Sequence, residues 1–439
     1  MPTLLDKFSK FAAAHGIYGS AFIVGGTVRD LVLHKEIRDV DIAVQGDAVG
    51  LAREFAHNAG ATFVLLDETF GISRIVSSDT YLDICTMRGD SITDDLGDRD
   101  LTINAMAIPL SAFVKQHSSA GGPKSRETII DPFDGLGDIE RRVIRMVSQE
   151  NLACDPLRLL RVYRFASTLG FSIDEATTAA VHSLHELISY SAPERVSEEL
   201  RHIFGNSASA ATFKDMQSSG LLLSLFPELT DNSVQAWQDV WSAYENAEYI
   251  LAHLNNCFAG KSGPVAEYFE TTYRSECLKL SLLLRKPGEA EQAASRLRLS
   301  GKESEFIRML FAYYEILSSL DSAKRSVVIG LLRELGDNVY SVLLFILARS
   351  KSFDQADMPK LSLAREIIAI YQDEYLPRMK RLPLISGHDL IMEFGLSPSP
   401  YFKYILSAVE LLALEGTINS REEALKAAGD MIHKKGGMR

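Results

Sequence analysis

The sequence predicts an α+β fold, in which a small mixed β-sheet near the N-terminus precedes an all-α remainder. Two helical patterns, one after Gly26 and one over Asp47–Ala59, alternate with short strand patterns in the first part of the chain. From Asp155 onward the strand signal nearly disappears, and amphipathic helices follow one another between Gly, Pro and Ser breaks. Five short runs rich in β-branched or aromatic residues predict the strands: Ala21–Val24, Val40–Val44, Thr62–Leu66, Gly71–Val76 and Tyr81–Met87.

Length and composition predict a multidomain protein of the reducing cytoplasm. The 439 residues exceed one compact core, and apolar and charged fractions of 46% and 24% are ordinary for a soluble protein. Four scattered cysteines form no CxxC pair, which argues against a zinc site or a disulfide framework. The first residues lack a cleavable signal pattern, and apolar runs such as Tyr340–Ala348 are too short to span a bilayer. A net charge of −12 argues against non-specific coating of nucleic acid, yet permits a local basic surface for one RNA end.

A glycine pair marks the first candidate binding feature. In FIVGGTVRDLVLHKEIRDVDIAV a predicted strand enters Gly25–Gly26 and a helix leaves from about Thr27. Glycines there let backbone N–H groups approach a ligand closely, and a helix N-terminus adds positive potential, which suits a triphosphate. Most Gly-Gly pairs are simple turns, so this feature alone is weak.

Two carboxylates follow that turn. Asp39 and Asp41 lie two apart in a β-pattern, so both leave one face of the strand while Val40 and Ile42 face the core. Paired carboxylates repel each other unless a cation lies between them, and magnesium is the natural one beside phosphate oxygens. A bare DxD would be an exposed acidic strand end. Its place shortly after Gly25–Gly26 favours a two-metal phosphoryl-transfer site.

A third carboxylate lies in YLDICTMR. Asp83 alternates with Leu82 and Ile84, so it points away from the apolar face of its strand. It is either the third member of a triad with Asp39 and Asp41 or an ordinary solvent-facing aspartate.

The segment DRDLTINAMA holds the next candidates. Arg99 can neutralise phosphate, and Asp100 can accept a hydrogen bond from a ribose hydroxyl. The alternative interpretation is a helix N-terminus with Asp100 near the cap.

The segment CDPLRLLRVYRFASTLGF predicts a helix opened by Asp155 and Pro156, a common start with Asp at the N-cap and Pro at the first position. Arginines at 158, 161 and 164 recur every three residues along it. Arg158 follows Asp155 by three residues, so the two offer a donor fork and an acceptor at one place. Cytosine and adenine match that pair, whereas uracil and guanine present an N–H where the fork needs an acceptor.

These motifs, in this order, resemble the class II (bacterial-type) tRNA nucleotidyltransferase and poly(A) polymerase family, a branch of the DNA polymerase β-like nucleotidyltransferases. GGTVRD with DVDIAV is similar to its catalytic motif, and GDRDLTINAMA to its ribose and nucleotide motif. IIDPFDGLGDIERRVIR is similar to the connector, DPLRLLRVYRFA to the base-selecting helix, and ERVSEELRHIF to the next motif. SRLRLSGKE and PLISGHDLIMEFGLSPSPYF extend the likeness over nearly the whole chain.

The resemblance implies a catalytic head at 1–147, a neck at 148–206, and an RNA-binding body and tail at 207–330 and 331–439. It implies two Mg²⁺ ions, CTP and/or ATP as donors, and a tRNA or other RNA 3′ end as acceptor, with release of pyrophosphate. It also supports Asp83 as the third catalytic carboxylate beside Asp39 and Asp41. The residues that it implies for nucleotide binding are Gly25, Gly26, Arg29, Arg99, Asp100, Asn104, Asp155, Arg158, Arg161 and Arg164.

Three positions depart from the family pattern. Cys154 stands where the base-selecting motif usually carries Glu, which puts the support of Arg158 in question. The segment between Arg88 and Asp95 is shorter than the flexible loop of full CCA-adding members, which resembles CC-adding enzymes. Arg285 and Lys286 occupy the places where some relatives carry the His-Asp of a metal phosphohydrolase, so no such activity is expected.

Two alternatives stay open at this point. A poly(A) polymerase or A-adding enzyme shares every catalytic residue and differs in how it holds the acceptor. A catalytically inactive RNA-binding protein is disfavoured because Asp39 and Asp41 are both present. Basic residues at Arg378–Arg381 and Lys434–Lys435 are candidates for RNA phosphate contacts, although solvated surface charge is the simpler interpretation.

Overall fold

The computed structural model describes residues 3–37, 39–68, 71–77, 80–117, 128–230, 233–319, 324–350 and 359–436. These residues divide into two compact units, Met1–Pro227 and Glu228–Arg439. The Ser and Gly content of Ser118–Ser125 predicts a loop, but the whole of that stretch lies outside the described residues.

A mixed six-stranded sheet forms the centre of the first unit. Its strands are β1 (Ala21–Val24), β2 (Asp39–Val44), β3 (Thr62–Asp67), β4 (Ile72–Ser77), β5 (Thr80–Thr86) and β6 (Ala107–Pro109). Their order is β3-β4-β5-β2-β1-β6; β2 and β5 run parallel and the other neighbours antiparallel. Five strands agree with the prediction to within a residue or so at each end. The three residues of β6 are too short for an alternating pattern, so the sequence did not reveal that strand.

Helices surround this sheet and continue to the end of the first unit. The helix α3 (Ala48–Ala59) shows why they form where they do. The Asp47 side chain accepts from the Gly50 N–H at its start, Phe55 is buried on its inner face, and Gly60 ends it at φ +66°. The other helices are α1 (Leu4–Ala14), α2 (Gly26–Val32), α4 (Ile92–Gly97), α5 (Leu110–His117), α6 (Gly135–Arg141), α7 (Gln149–Cys154), α8 (Leu157–Leu169), α9 (Glu175–Leu184), α10 (Pro193–Phe204), α11 (Ser209–Ser218) and α12 (Leu221–Leu225). A two-stranded parallel ribbon joins β7 (Val143–Ile144) to β8 (Ser172–Ile173).

The regular elements described in the second unit are helical, as the sequence predicted. They are α13 (Val234–Ala252), α14 (Leu254–Cys257), α15 (Ser262–Phe269), α16 (Thr272–Leu283), α17 (Pro287–Arg296), α18 (Gly301–Ser318), α19 (Arg325–Leu335), α20 (Val339–Ala348), α21 (Pro359–Ala369), α22 (Leu376–Met379), α23 (Gly387–Phe394), α24 (Pro400–Glu415) and α25 (Arg421–Gly436). A wider π-helical turn, Ile370–Tyr375, connects α21 to α22. In the described part of the chain, no helix has both the length and the apolar character needed to cross a bilayer. The α+β prediction is confirmed.

Candidate active site

The strand register places three charged residues in one row. Parallel pairing sets Asp41 opposite Asp83, and antiparallel pairing sets Arg74 opposite Asp83. The Nε and Nη2 atoms of Arg74 donate to the two carboxylate oxygens of Asp83, both at 2.8 Å. Asp83 therefore lies beside Asp41 as predicted, but a guanidinium already compensates its charge.

The glycine turn lies against the same carboxylates. Gly25 has φ +66°, and its N–H donates to the Met106 carbonyl oxygen at 3.2 Å. A Cβ at Gly25 would lie 2.7 Å from the Arg99 guanidinium, and one at Gly26 would lie 3.6 Å from an Asp41 carboxylate oxygen. The fold brings the two predicted features together, and the positive φ with the close approach of Arg99 favours glycine at position 25.

Thr27 connects the turn to β2. The Asp41 N–H donates to the Thr27 hydroxyl oxygen at 2.8 Å, and that hydroxyl lies 3.3 Å from the Asp39 carbonyl oxygen. Thr27 is 3% exposed. A buried hydroxyl thus fixes the spacing between α2 and β2, a role that sequence analysis did not assign.

The electrostatics of Asp41 indicate a place for a cation. Burial, the neighbouring Asp83 charge and the Asp39 charge raise its pKa to about 6, while Arg99 and the Thr27 hydrogen bond oppose the rise. Asp39 is exposed on the same strand face. Two such carboxylates stay ionised together when a cation is between them, and oxygen donors suit a hard divalent ion.

The pair of Asp39 and Asp41, rather than a triad, is what the structure offers to a metal. Among the described residues no three His, Cys, Asp or Glu side chains are grouped as metal ligands. Asp83 is instead engaged by Arg74. The part of Asp83 as a third catalytic carboxylate stays a prediction.

A single cavity of about 960 Å³ in the first unit collects the predicted residues. It spans the Asp39–Asp41 end of the sheet and the arginine face of α8, and its dimensions suit a nucleotide. All the predicted site residues line it: Gly25, Gly26, Arg29, Asp39, Asp41, Asp83, Arg99, Asp100, Asn104, Asp155, Arg158, Arg161 and Arg164.

Asp100 is the most engaged of the predicted nucleotide-binding residues. It is 5% exposed and accepts hydrogen bonds from Arg161 Nε at 2.7 Å and Asn104 Nδ2 at 3.1 Å. Burial alone would raise the pKa of this carboxyl, but Arg161, Asn104 and the Leu101 N–H together lower it to about 2. Asp100 is therefore an ionised, buried partner of Arg161, and its predicted contact with a ribose hydroxyl stays a prediction. A short 3₁₀ turn, Thr102–Asn104, follows Asp100. The alternative prediction, a helix that begins near Asp100, therefore corresponds to this single turn.

The arginines of α8 share partners that the sequence did not point to. Glu199 on α10 accepts from Arg164 Nε at 2.5 Å and lies 3.6 Å from Arg161 Nη1. The ring of Phe165 lies 4.0 Å from the Arg164 guanidinium carbon and 4.9 Å from that of Arg29. A buried carboxylate and an aromatic face therefore hold this arginine cluster in place.

Arg29 has a second anchor in the nucleotide motif. Its Nη1 donates to the Asn104 side-chain oxygen at 2.8 Å, while Nε and Nη2 bind Asp30, both at 2.9 Å. Asn104 thus joins Arg29 to Asp100.

The two predicted base readers have separate supports. Asp155 pairs with Arg195 on α10 at 3.0 Å, and Arg158 Nη1 donates to the carbonyl oxygens of Asp98 at 2.8 Å and Asn151 at 3.3 Å. The predicted helix start is displaced, because Asp155 ends α7 and Pro156 is the N-cap of α8. Asp155 still accepts from the Leu157 N–H at 3.3 Å, as a capping side chain would.

Several partners were missed by sequence reasoning although some carried a signal. Arg195 and Glu199 lie four residues apart in ERVSEELRHIF, which places them on one helix face. Arg74 alternates with the buried Ser73 and Ile75, as a residue on the carboxylate face of a sheet must. Asn151 carried no signal, because its side chain bonds to backbone distant in sequence.

Comparisons with known proteins find similar sequences and a similar fold. Residues 21–145 match the poly A polymerase head domain, and residues 170–232 match the probable RNA and SrmB binding site of polymerase A. The chain is 29% identical to a CC-adding tRNA nucleotidyltransferase of Synechocystis sp., over 94% of this chain and 93% of that protein. It is 27% identical to an A-adding tRNA nucleotidyltransferase of Halalkalibacterium halodurans, over 98% and 93%. The fold is similar to that of the Thermotoga maritima CCA-adding enzyme complexed with tRNA-CCA, with a TM-score of 0.69, 23% identity and 98% and 95% of the two chains covered.

Proposed function

We propose that this chain, which belongs to the bacterial-type tRNA nucleotidyltransferase and poly(A) polymerase family, transfers CMP and/or AMP from CTP or ATP to the 3′ hydroxyl of tRNA, with release of pyrophosphate. The observation that carries the proposal is the cavity that joins Asp39 and Asp41 to the glycine turn and to the arginine face of α8. Those groups correspond to the three needs of the reaction: a carboxylate pair, a triphosphate seat and a base-reading surface.

The family uses divalent metal ions, and the finer assignment to two Mg²⁺ ions is part of the proposal. Asp39 and Asp41 would hold the metal, which when bound would activate the attacking hydroxyl and stabilise the leaving pyrophosphate. The Gly25 N–H is bonded to the Met106 carbonyl oxygen, so the proposed triphosphate seat is the space beside Gly26 and the Arg99 guanidinium, which lies against the turn.

Base selection is assigned to Asp155 and Arg158. Both line the cavity, and each is held by another residue, Asp155 by Arg195 and Arg158 by two backbone carbonyl oxygens. A positioned acceptor and a positioned donor fork select cytosine and adenine over uracil and guanine. The protein side chains thereby select the nucleotide in place of a nucleic-acid template.

For the product, CC addition is the finer proposal. The short segment after Arg88 is tightly folded. The Arg88 N–H donates to Asp95 at 3.1 Å, and Ser91 and Asp94 form a capping box at the start of α4. This compact turn supports a product limited to CC, because a long mobile loop is what the complete CCA-adding members are expected to need. A-adding or poly(A) activity is the alternative.

The acceptor RNA is assigned to the helical regions at 207–330 and 331–439, with Lys380 and Arg381 exposed on the second of them. The absence of phosphohydrolase activity stays a prediction from Arg285 and Lys286. The cytoplasmic location is retained as part of the proposal, supported by four free cysteines.

The decisive experiment supplies transcripts of one tRNA that end at the discriminator base, in C or in CC, each with labelled CTP, ATP, UTP or GTP. Addition of two C residues to the first transcript, with no A added to the CC transcript, is expected for a CC-adding enzyme. Added A on the CC transcript alone would replace this proposal with A addition, and long A tracts on any RNA would replace it with poly(A) synthesis. No incorporation on any transcript with Mg²⁺ would contradict the proposed function.

A further inference from the structure

Asn151 holds the backbone to which Arg158 is attached. Its side-chain Nδ2 donates to the carbonyl oxygens of Gly97 at 2.6 Å and Arg99 at 2.8 Å. The carbonyl between those two belongs to Asp98, and it accepts from Arg158 Nη1 at 2.8 Å. The second acceptor of the same Nη1, at 3.3 Å, is the backbone carbonyl of Asn151 itself. One asparagine therefore fixes both acceptors of Arg158.

Asn151 is itself fixed in the first turn of α7. Its N–H donates to the Ser148 side chain at 3.1 Å, which caps that helix. Both the main chain and the side chain of Asn151 are therefore hydrogen-bonded, and these bonds hold the side-chain amide in one orientation. This makes Asn151 a rigid link between α7 and the backbone at 97–99.

The arrangement leaves the reading side of Arg158 available. Both hydrogen bonds that Arg158 makes to the described residues leave from Nη1, which keeps Nε and Nη2 as donors toward the cavity. Carbonyl oxygens orient the guanidinium without neutralising it, so its full charge is presented to a ligand.

Cys154 lies three residues after Asn151, on the same short helix and exposed. A thiol is a weak acceptor and cannot orient a guanidinium as a carboxylate would. We propose that Asn151 is the positioning residue for the base reader Arg158 in this chain. This inference rests on the proposed function only in that Arg158 reads the base.

The test measures kcat and KM for CTP and UTP on a tRNA acceptor for the wild type and for Asn151→Ala. Loss of the two amide bonds frees the Asp98 carbonyl, so Arg158 samples other directions and the CTP preference is expected to fall about tenfold or more. The expected change is in the ratio of kcat/KM for CTP to kcat/KM for UTP. A general loss of structure would lower both kcat/KM values alike. Gln149→Ala is the matched control, because Gln149 lies on the same helix, is exposed, and contacts Ser183 instead of residues 97–99.

Rescue separates positioning from packing. In the Asn151→Ala background, Cys154→Glu places a carboxylate four residues before Arg158 in the sequence and is expected to restore part of the CTP preference. If Asn151→Ala unfolds at the assay temperature, Asn151→Ser removes the same two amide bonds and keeps a polar side chain at that position. Unchanged discrimination in a folded variant of either kind would overturn the inference.

Nucleotide binding without tRNA distinguishes this inference from the proposed function. Calorimetric titration with CTP and UTP reports base selection even if no transfer to tRNA occurs. A wild-type preference for CTP that is reduced in Asn151→Ala supports the positioning role on its own. A preference that is equal in both proteins overturns it, whatever the acceptor proves to be.

Discussion

Asp83 accepts two parallel hydrogen bonds from Arg74, each 2.8 Å long, on adjacent strands of the central sheet. The Asp83 side chain is 16% exposed and lies opposite Asp41 on its other side. This pairing lowers the repulsion within the acidic row, because a positive charge stands at one end of it. Asp83 is thereby held by Arg74, and the binding of a cation by Asp39 and Asp41 stays a prediction.

Removing Arg74 is therefore expected to destabilise the protein through Asp83. Arg74→Ala leaves a partly buried carboxylate unpaired beside Asp41, and the free energy of unfolding is expected to fall by roughly 1–3 kcal/mol. Urea denaturation of Arg74→Ala, Asp83→Asn and the double variant gives the coupling energy. A coupling energy near zero would show that the two side chains do not interact in solution. Arg53→Ala, which removes an arginine above the Phe63 ring, is the control for general loss of a guanidinium.

The metal pair gives a second prediction. Asp39→Asn and Asp41→Asn are each expected to lower kcat by about 10³-fold or more, because either change removes a ligand of the metal that stabilises the transferred phosphoryl group. Binding of Mn²⁺, followed by electron paramagnetic resonance, is expected to weaken in both variants. Asp90→Asn, at an exposed carboxylate outside the cavity, serves as control. Mn²⁺ binding as tight as in the wild type would contradict the assignment of these two ligands.

The glycine turn gives a third. Gly25→Ala introduces a methyl group 2.7 Å from Arg99 at a residue with φ +66°, so both strain and lost space are expected to raise the KM for the nucleotide. Gly46→Ala is the matched control, because Gly46 also has positive φ, at +89°, but has open space around its Cβ position. Each substitution carries a backbone cost of about 1 kcal/mol in stability. Equal KM values for the two variants would argue against a triphosphate at Gly25.

Base selection gives a fourth. Arg158→Ala and Asp155→Ala are expected to lose discrimination of CTP and ATP against UTP and GTP, since each removes half of the reading edge. The comparison is the ratio of kcat/KM values for the four nucleotides with one acceptor. Unchanged ratios would exclude the template role. Arg195→Ala is expected to act in the same direction as Asp155→Ala but more weakly, because Arg195 supports that carboxylate at 3.0 Å and is itself 56% exposed.

The sequence predicted the features that depend on local pattern. Alternation in DVDIAV and YLDICTMR placed Asp41 and Asp83 on one face, and the structure sets them opposite each other. Helix α3 was predicted to within one residue, because Asp47 and Gly60 mark its ends chemically. Residue spacing along the chain was therefore sufficient to predict features whose residues all lie on one helix or strand.

The partners that residues acquire through tertiary packing could not be predicted from local sequence patterns. No local pattern pointed to the bond between Asp100 and Arg161, which are 61 residues apart in sequence, and the predicted contact of Asp100 with a ribose hydroxyl stays a prediction. The pairing of Asp155 with Arg195 likewise joins two helices whose relative position no local pattern encodes. Long-range ion pairs are set by packing, so the sequence identified the residues of the cavity but not their partners.

The pH dependence of stability follows from Asp41. Its pKa is raised to about 6 in the folded protein, against about 4 in an unfolded chain. Between those values the native state binds the proton more tightly, so the free energy of unfolding is expected to fall as pH rises from about 4 to about 6. The stabilising contribution is complete below the unfolded pKa and lost above the folded one.

Metal-free protein in a chelator, unfolded with urea at several pH values, measures this slope. Asp41→Asn is expected to lack this component, because its amide does not titrate in that range. Mg²⁺ added near pH 7 is expected to raise the stability of the wild type more than that of Asp41→Asn, since the ion replaces the proton in relieving the repulsion from Asp83 and Asp39. The same pH slope in both proteins would show that Asp41 titrates normally and that its neighbours do not raise its pKa.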